Sequence, residues 1–352
     1  MNNITLDAST VVKQRHGKRP WRWLKIVTIT LLVIIAVLLI AGILYQSVAT
    51  AVNARRYPPP GRLVDVGGHQ LHIVCAGQGS PTVILEAAAQ AASAHWVWVQ
   101  PEVAEATRVC AYDRAGMGWS DAGPEPRDAR QIAAELHALL ENAGVAGPYV
   151  LVGHSFGGLY ARVYAAQYSG EVTGMVLVDA THPDLWEHLP PEFLAPDEDK
   201  RLAALPTFAG VGLMRLTKFF PAGPDLPAEQ QAAITAFNAS TKFNGAFTAE
   251  LTAFPETKAQ VHAAGSLGDM PLVVLTAEKT YDEQPPELAA PARQAWRTLQ
   301  ADLVTLSSNS SHQVVAGATH ESLVTNQEHA QPTVAAILQV VEAVRANRPL
   351  VP

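Results

Sequence analysis

Residues 149–166 read Tyr149-Val150-Leu151-Val152-Gly153-His154-Ser155-Phe156-Gly157-Gly158-Leu159-Tyr160-Ala161-Arg162-Val163-Tyr164-Ala165-Ala166. An apolar, β-favouring run leads into Gly-x-Ser-x-Gly, and a helix-compatible stretch follows. Swinging from strand to helix over one residue strains that residue's backbone. Side chains at 153 and 157 would strike the neighbouring strand and helix, hence glycine at both. Such a turn lifts the Ser155 hydroxyl above the sheet edge, at a helix N-terminus whose N–H groups can steady a developing oxyanion. Ser155 is therefore the candidate nucleophile, and the Phe156 N–H is one candidate oxyanion donor.

Working outward, short β-rich runs alternate with helical stretches from Arg62 onward, the pattern of an α/β fold with a mostly parallel sheet. Strands are expected at Arg62–Val66, Gln70–Ala76, Thr82–Glu86, Arg108–Tyr112, Tyr149–Val152, Gly174–Asp179, Leu272–Thr276 and Gln313–Ala316. Gly67-Gly68 signals a hairpin between the first two. Helices are expected at about Asp128–Ala143, Phe156–Gln167, Pro291–Leu306 and Thr333–Arg345. About 90 residues between Asp179 and Leu272 break the alternation, too long for a loop in a compact domain and so expected to form an inserted helical cap over 185–267. Eight of the nine phenylalanines fall there: Phe193, Phe208, Phe219, Phe220, Phe237, Phe243, Phe247 and Phe254. Eight exceed the needs of so small a core, so some are expected to line an apolar pocket facing the sheet.

The chain resembles the serine-dependent α/β-hydrolase superfamily over roughly residues 61–348. The likeness is greatest to bacterial lid-bearing members sharing Val109-Cys110-Ala111-Tyr112-Asp113-Arg114-Ala115-Gly116-Met117-Gly118-Trp119-Ser120-Asp121, Val178-Asp179-Ala180-Thr181-His182-Pro183-Asp184 and Leu306-Ser307-Ser308-Asn309-Ser310-Ser311-His312. This resemblance implies an eight-stranded sheet with the cap after the sixth strand, a core of residues 62–184 and 268–348, and hydrolysis of an ester-like bond. Haloalkane dehalogenases and epoxide hydrolases are disfavoured, because they put an aspartate where Ser155 stands.

In such enzymes the base comes from the loop after the last strand, which points to His320. His312 would precede that strand, and His329 would enter the final helix. For the acid the sequence offers two positions. The usual Gly-x-x-Asp spacing after the seventh strand would fall on Thr280, so Asp282 serves only if that loop carries two extra residues. Asp179 closes the sixth strand with no adjustment and is preferred; Asp184 and Glu278 are remoter choices. A buried aspartate at a strand end needs pairing, which a histidine N–H supplies. The second oxyanion donor is expected from Leu85-Glu86-Ala87-Ala88-Ala89-Gln90, with Ala88 the best candidate, although relatives carry glycine there. Glu86 reads as a structural carboxylate. Cys75 and Cys110 fall on neighbouring strands, read as parallel: an oxidising exterior would permit a disulfide, the parallel geometry would strain it, and two buried thiols stay the alternative.

Residues 26–45 hold no charge, and at about 1.5 Å per residue a 20-residue helix spans about 30 Å. A transmembrane helix over 26–46 is expected, after a basic leader (1–25) and before a linker (47–61) whose Tyr57-Pro58-Pro59-Pro60-Gly61 would hold the body off the membrane. The leader carries Lys13, Arg15, Lys18, Arg19, Arg22 and Lys25 against Asp7, with Trp21 and Trp23 flanking the span, so the positive-inside bias puts the N-terminus in the cytoplasm and the body outside the cell membrane. The leader's +5 leaves −12 on the rest of a chain whose formal charge is −7, which excludes a nucleic-acid role. The 352 residues, 48% hydrophobic and 16% charged, exclude a disordered chain, and no Cys/His cluster suggests a metal. The expectation is a membrane-anchored serine hydrolase acting without cofactor on apolar or uncharged esters. Peptidase, thioesterase or haloperoxidase activity stays open, and so does a non-catalytic binding protein of the same fold.

Overall fold

The computed structural model describes residues 19–193 and 198–350. Strands β1 (Arg62–Asp65), β2 (Gln70–Ala76), β3 (Thr82–Glu86), β4 (Val109–Tyr112), β5 (Tyr149–His154), β6 (Val172–Val178), β7 (Leu272–Ala277) and β8 (Ser310–Val315) form one sheet ordered β1-β2-β4-β3-β5-β6-β7-β8. Strand β2 runs antiparallel to both of its neighbours, β1 and β4, and the remaining pairs are parallel. The central strands are apolar on both faces because both are covered. Ile84, Leu151, Met175 and Val274 face the helices Ala129–Asn142 and Gly157–Gln167. Val83, Val150, Val176 and Val273 face the helix Ala330–Ala346.

Helix Ala129–Asn142 starts where Asp128 caps it, accepting the Gln131 N–H at 3.0 Å, and buries Ile132, Leu136, Leu139 and Leu140 as their spacing requires. Three expectations change. The helix expected from Pro291 begins at Pro286, with Pro291 inside it; burial of Ala289, Ala292, Trp296 and Leu299 along one face outweighs the amide bond lost there. Strand β8 starts at Ser310, so His312 lies within it, its Nε2 2.8 Å from Thr276 Oγ1, rather than before it. Cys75 and Cys110 are directly opposed on antiparallel strands with Cα atoms 4.0 Å apart, close enough for the disulfide they form. The parallel reading missed that β2 reverses direction.

The cap lies between β6 and β7, and its helices include Glu198–Gly210, Leu213–Thr217, Ala228–Asn238, Thr241–Thr252 and Phe254–Ala264. Phe243, Phe247, Leu205, Ala209 and Met214 form its core with Met117. Glu250 and Lys242 fasten it to the sheet domain: Arg114 Nε donates to Glu250 at 2.9 Å, and Lys242 Nζ donates to the Gly118 carbonyl at 3.1 Å.

The N-terminal helix spans Arg19–Arg56, 38 residues, long and apolar enough to cross a bilayer. It outruns the expected 26–46 segment, so residues 47–56 are helical rather than linker. The end of the helix and the linker also contact the body. From Gly42 the helix packs on the cap, where a Cβ on Gly42 would come within 2.4 Å of the Val211 carbonyl oxygen. Gln46 bonds Ala239 and Arg215, and Trp119 donates to the Tyr57 carbonyl. The leader's first 18 residues, with Lys13, Arg15 and Lys18, lie outside the described residues.

Candidate active site

Ser155 follows β5 with φ of 55°, in the left-handed region. The residues two positions to either side must be glycine: a Cβ on Gly153 would lie 2.6 Å from Gly158, and one on Gly157 2.4 Å from the Glu86 carbonyl. The Ser155 carbonyl accepts the Gly158 and Thr181 amides, both at 3.0 Å, which holds the turn. Two cavities meet at Ser155 and His320. One, of about 380 Å³, is lined by Phe156, Leu185, Trp186 and Trp296; the other, of about 230 Å³, by Ala88, His95, His154, Pro221 and Asn238.

His320 lies in the loop after β8, and its Nδ1 is 2.7 Å from Asp179 Oδ2. Asp179 is fully buried at the end of β6, with φ of 42°. Its Oδ1 accepts the Ala277 amide at 3.1 Å and Trp296 Nε1–H at 2.7 Å; Oδ2 accepts the Thr280 hydroxyl at 2.9 Å as well as His320. Four donors on two oxygens offset the cost of burying the carboxyl group. Burial of His320 disfavours its cation, but the hydrogen bond and charge of Asp179 outweigh that and raise its pKa. The rival acids are engaged elsewhere. Asp282 pairs with Arg293, Asp184 with Lys258 and His262, and Glu278 accepts the Gly317 amide.

A family model described as the alpha/beta hydrolase fold matches residues 81–332. The chain belongs to this alpha/beta hydrolase family. Among curated relatives, an AB hydrolase superfamily protein of Gibberella zeae is 36% identical over 113 residues, 30% of this chain and 35% of that one. Bacillus subtilis YbdG is 26% identical over 168 residues, 47% of this chain and 52% of that one. An uncharacterized vacuolar membrane protein of Saccharomyces cerevisiae is 32% identical over 135 residues, 33% and 21% of the two chains. The chain thus spans about half, or less, of the length of these relatives. Among solved structures, a haloalkane dehalogenase loop variant from Bradyrhizobium elkanii superimposes with a TM-score of 0.61 at 17% identity, covering 81% of this chain and 97% of its own. The epoxide hydrolase CorEH gives 0.58 at 18%, covering 81% and 99%. At such identity the likeness is one of fold.

Within this alpha/beta hydrolase, the loop after β3 solves the missing-glycine problem in its own way. No residue from Glu86 to Gln90 takes a positive φ. Arg114 instead gathers three successive carbonyls, donating to Ala87 at 2.7 Å, Ala88 at 2.8 Å and Ala89 at 3.3 Å. The same guanidinium holds Glu86 at 2.8 Å and Glu250 of the cap. Burial pushes the Glu86 carboxyl up to about 7 against the pull of Arg114, and the structural reading of Glu86 stands in this geometry. Among the described residues, the Phe156 and Ala88 amides donate to no protein acceptor.

None of the eight cap phenylalanines lines either cavity at Ser155, contrary to expectation. Phe220 meets Phe243 and Phe247 edge-on within the cap, Phe237 meets Trp119 and Phe193 meets Tyr281 in the same way, and Phe254 lies tilted against Phe156. The apolar lining comes from Phe156, Leu185, Trp186 and Trp296. Sequence reasoning also passed over His154, whose ring nitrogen meets the His320 carbonyl at 3.0 Å. Burial drives its pKa well below the ordinary histidine value, so the neutral ring donates there and steadies the His320 loop.

Proposed function

We propose that the chain is a membrane-anchored serine hydrolase cleaving apolar carboxylic esters through an acyl-enzyme. The observation that carries this reading is the 2.7 Å Asp179–His320 contact beside the strained Ser155 turn, with both Ser155 and His320 lining the same cavities. Ser155 Oγ attacks the ester carbonyl carbon while His320 Nε2 takes the hydroxyl proton and Asp179 holds the imidazole by Nδ1. The Phe156 and Ala88 amides receive the oxyanion. Collapse breaks the bond to the alcohol oxygen, which takes the proton from His320. Water then attacks the acyl-Ser155 ester, again deprotonated by His320, and releases the carboxylic acid and the free serine.

A labelled fluorophosphonate tests this directly. It should modify the full chain and fail on Ser155→Ala, whose ester turnover should drop by about 10⁴–10⁶-fold; wild-type turnover in that variant overturns the reading. The hydrolase body is assigned to the extracytoplasmic side, supported by the basic leader and by the Cys75–Cys110 disulfide, which suits an oxidising compartment. External protease should digest the body in intact cells, and the chain should resist extraction by alkaline carbonate; a protected body reverses the topology.

A further inference from the structure

The N-terminal helix changes its surroundings once along its length. From Trp21 to Ala41 every residue is exposed, whereas Gly42, Gln46, Ala49, Asn53 and Tyr57 are covered at helical spacing by the body. Seventeen residues from Ile26 to Gly42, at about 1.5 Å each, match most of a hydrocarbon core of about 30 Å. A membrane on this helix therefore ends close to where the cap begins. The cap segment at that level is the turn Val211–Gly212, held against Gly42 and Tyr45, and the chain that follows it.

This segment is unlike the rest of the body. Among the described residues, seven large apolar side chains outside the long helix are exposed, and four of them, Phe208, Leu213, Leu216 and Phe219, fall within twelve residues here. Leu216 and Phe219 are more than half exposed, at 68% and 58%. Residues 201–224 contain no acidic side chain but carry Arg201, Arg215 and Lys218, on a body that is otherwise strongly acidic. Exposed apolar side chains with interspersed basic groups suit the boundary between headgroups and acyl chains, above all of anionic lipid. Continuity with the membrane helix selects the occupant: the bilayer that the helix crosses is already beside this face. A few residues on, Pro221 and Gly223 line the smaller cavity behind Ser155, and Asn238, also in its wall, bonds the Phe220 carbonyl at 3.3 Å.

We infer that the cap face formed by Phe208, Leu213, Leu216 and Phe219 lies in the bilayer surface and that Ser155 takes its ester substrate from the membrane through the cavity bounded by Pro221, Gly223 and Asn238. The second half rests on the serine-hydrolase reading; the first does not. The position of the face relative to the helix makes the contact obligatory rather than reversible, because the anchor keeps it at the lipid surface at all times. An acyl chain leaving the bilayer along this route needs no passage through water.

The full chain is reconstituted in phosphatidylcholine vesicles containing phosphatidylglycerol. Leu216→Cys and Phe219→Cys, each carrying a polarity-sensitive fluorophore, are compared with Ser169→Cys at the opposite end of the sheet; the native cysteines are paired and stay unlabelled. Labels at 216 and 219 should be quenched by nitroxide-bearing lipid and shielded from iodide, with the reverse at 169. Equal iodide quenching at all three sites overturns the docking. In the second arm, Leu216→Asp combined with Phe219→Asp should lower hydrolysis of a long-chain ester embedded in the vesicles at least tenfold. Hydrolysis of a water-soluble short-chain ester and fluorophosphonate labelling should stay within twofold. Unchanged hydrolysis of the embedded ester, or equal loss on both esters, overturns the membrane route. A wild-type chain that never reacts with the fluorophosphonate sinks the hydrolase reading and leaves the quenching result to decide the docking alone.

Discussion

The Thr280 hydroxyl donates to Asp179 Oδ2 at 2.9 Å, so the residue at the usual position of the acid bonds the carboxylate to which the proposed mechanism gives that role, one strand away. The β6 and β7 ends are neighbours in the sheet. With Asp179 on β6, the β7 loop is left to supply donors: the Ala277 amide and the Thr280 hydroxyl. Asp179→Asn should therefore lower kcat by about 10⁴-fold by favouring the wrong imidazole tautomer. Asp282→Asn, which loses only a surface pair with Arg293, should cost less than tenfold. Steady-state kinetics on a soluble ester checks both, and the reverse ranking would give the role to Asp282.

Ser155 was legible because the strand–turn–helix that exposes it is local, and both glycines are dictated by contacts within a few residues or with the adjacent β3. His320 and Asp179 were legible for a different reason: 141 positions apart, they are placed by the ends of strands whose order the fold determines. Trp296 was not legible. It falls within the helix expected from Pro291, but that its N–H reaches Asp179 depends on how this helix packs beside the β6 end, which helical spacing alone does not give. The cap phenylalanines misled for a related reason. Aromatic content reports that a small core exists, but not which rings face the cavity and which face each other. The Gly67-Gly68 hairpin made β2 antiparallel to β1, but the direction of β2 relative to β4, separated from it in sequence by β3, was not legible.

The His320 pKa is raised, and in the proposed mechanism its neutral form is the base, so activity should fall as pH drops through a value above the ordinary 6.5 of histidine. In Asp179→Asn the partner's charge is gone and burial remains. The acid limb of kcat/KM should then move to lower pH along with the loss of rate. The same raised value contributes stability that is fully present below about 6.5 and is lost as pH rises through the folded-state pKa. A pH–rate profile whose acid limb is unmoved in the variant would show that the limb belongs to another group.

Arg114 joins the β3 loop to the cap, and its removal should damage both. Arg114→Met leaves Glu86 and Glu250 buried without their common cation, a change expected to cost about 3–5 kcal/mol. Glu250→Gln keeps the shape and one acceptor and should cost less. In both, the Ala88 segment loosens, so kcat should fall more than KM rises, because an oxyanion donor acts in the transition state. Thermal unfolding and kinetics on the same preparations separate the effects. A destabilised Glu250→Gln with unchanged kcat would confine the ion pair to fastening the cap.

The larger cavity at Ser155 is apolar through Phe156, Leu185, Trp186 and Trp296, with Lys279, Asp282, Glu283 and Glu321 also in its lining. An acyl chain among those four apolar side chains gains about 0.8 kcal/mol per buried methylene, or about fourfold in kcat/KM, until the cavity is filled. At about 380 Å³ it has room for a medium chain, so the profile should climb from acetate to a medium-chain ester and then level off. Trp186, more than a third exposed and packed edge-on against Phe254, is the wall most easily removed without touching the sheet. Trp186→Ala should flatten the climb while leaving acetate hydrolysis within about threefold. The charged side chains should select against anionic acyl groups, so a hemisuccinate ester should react more slowly than a neutral ester of equal length. A profile flat from acetate onward, in wild type and variant alike, would mean that the acyl chain does not enter this cavity and lies instead in the smaller one behind Ser155.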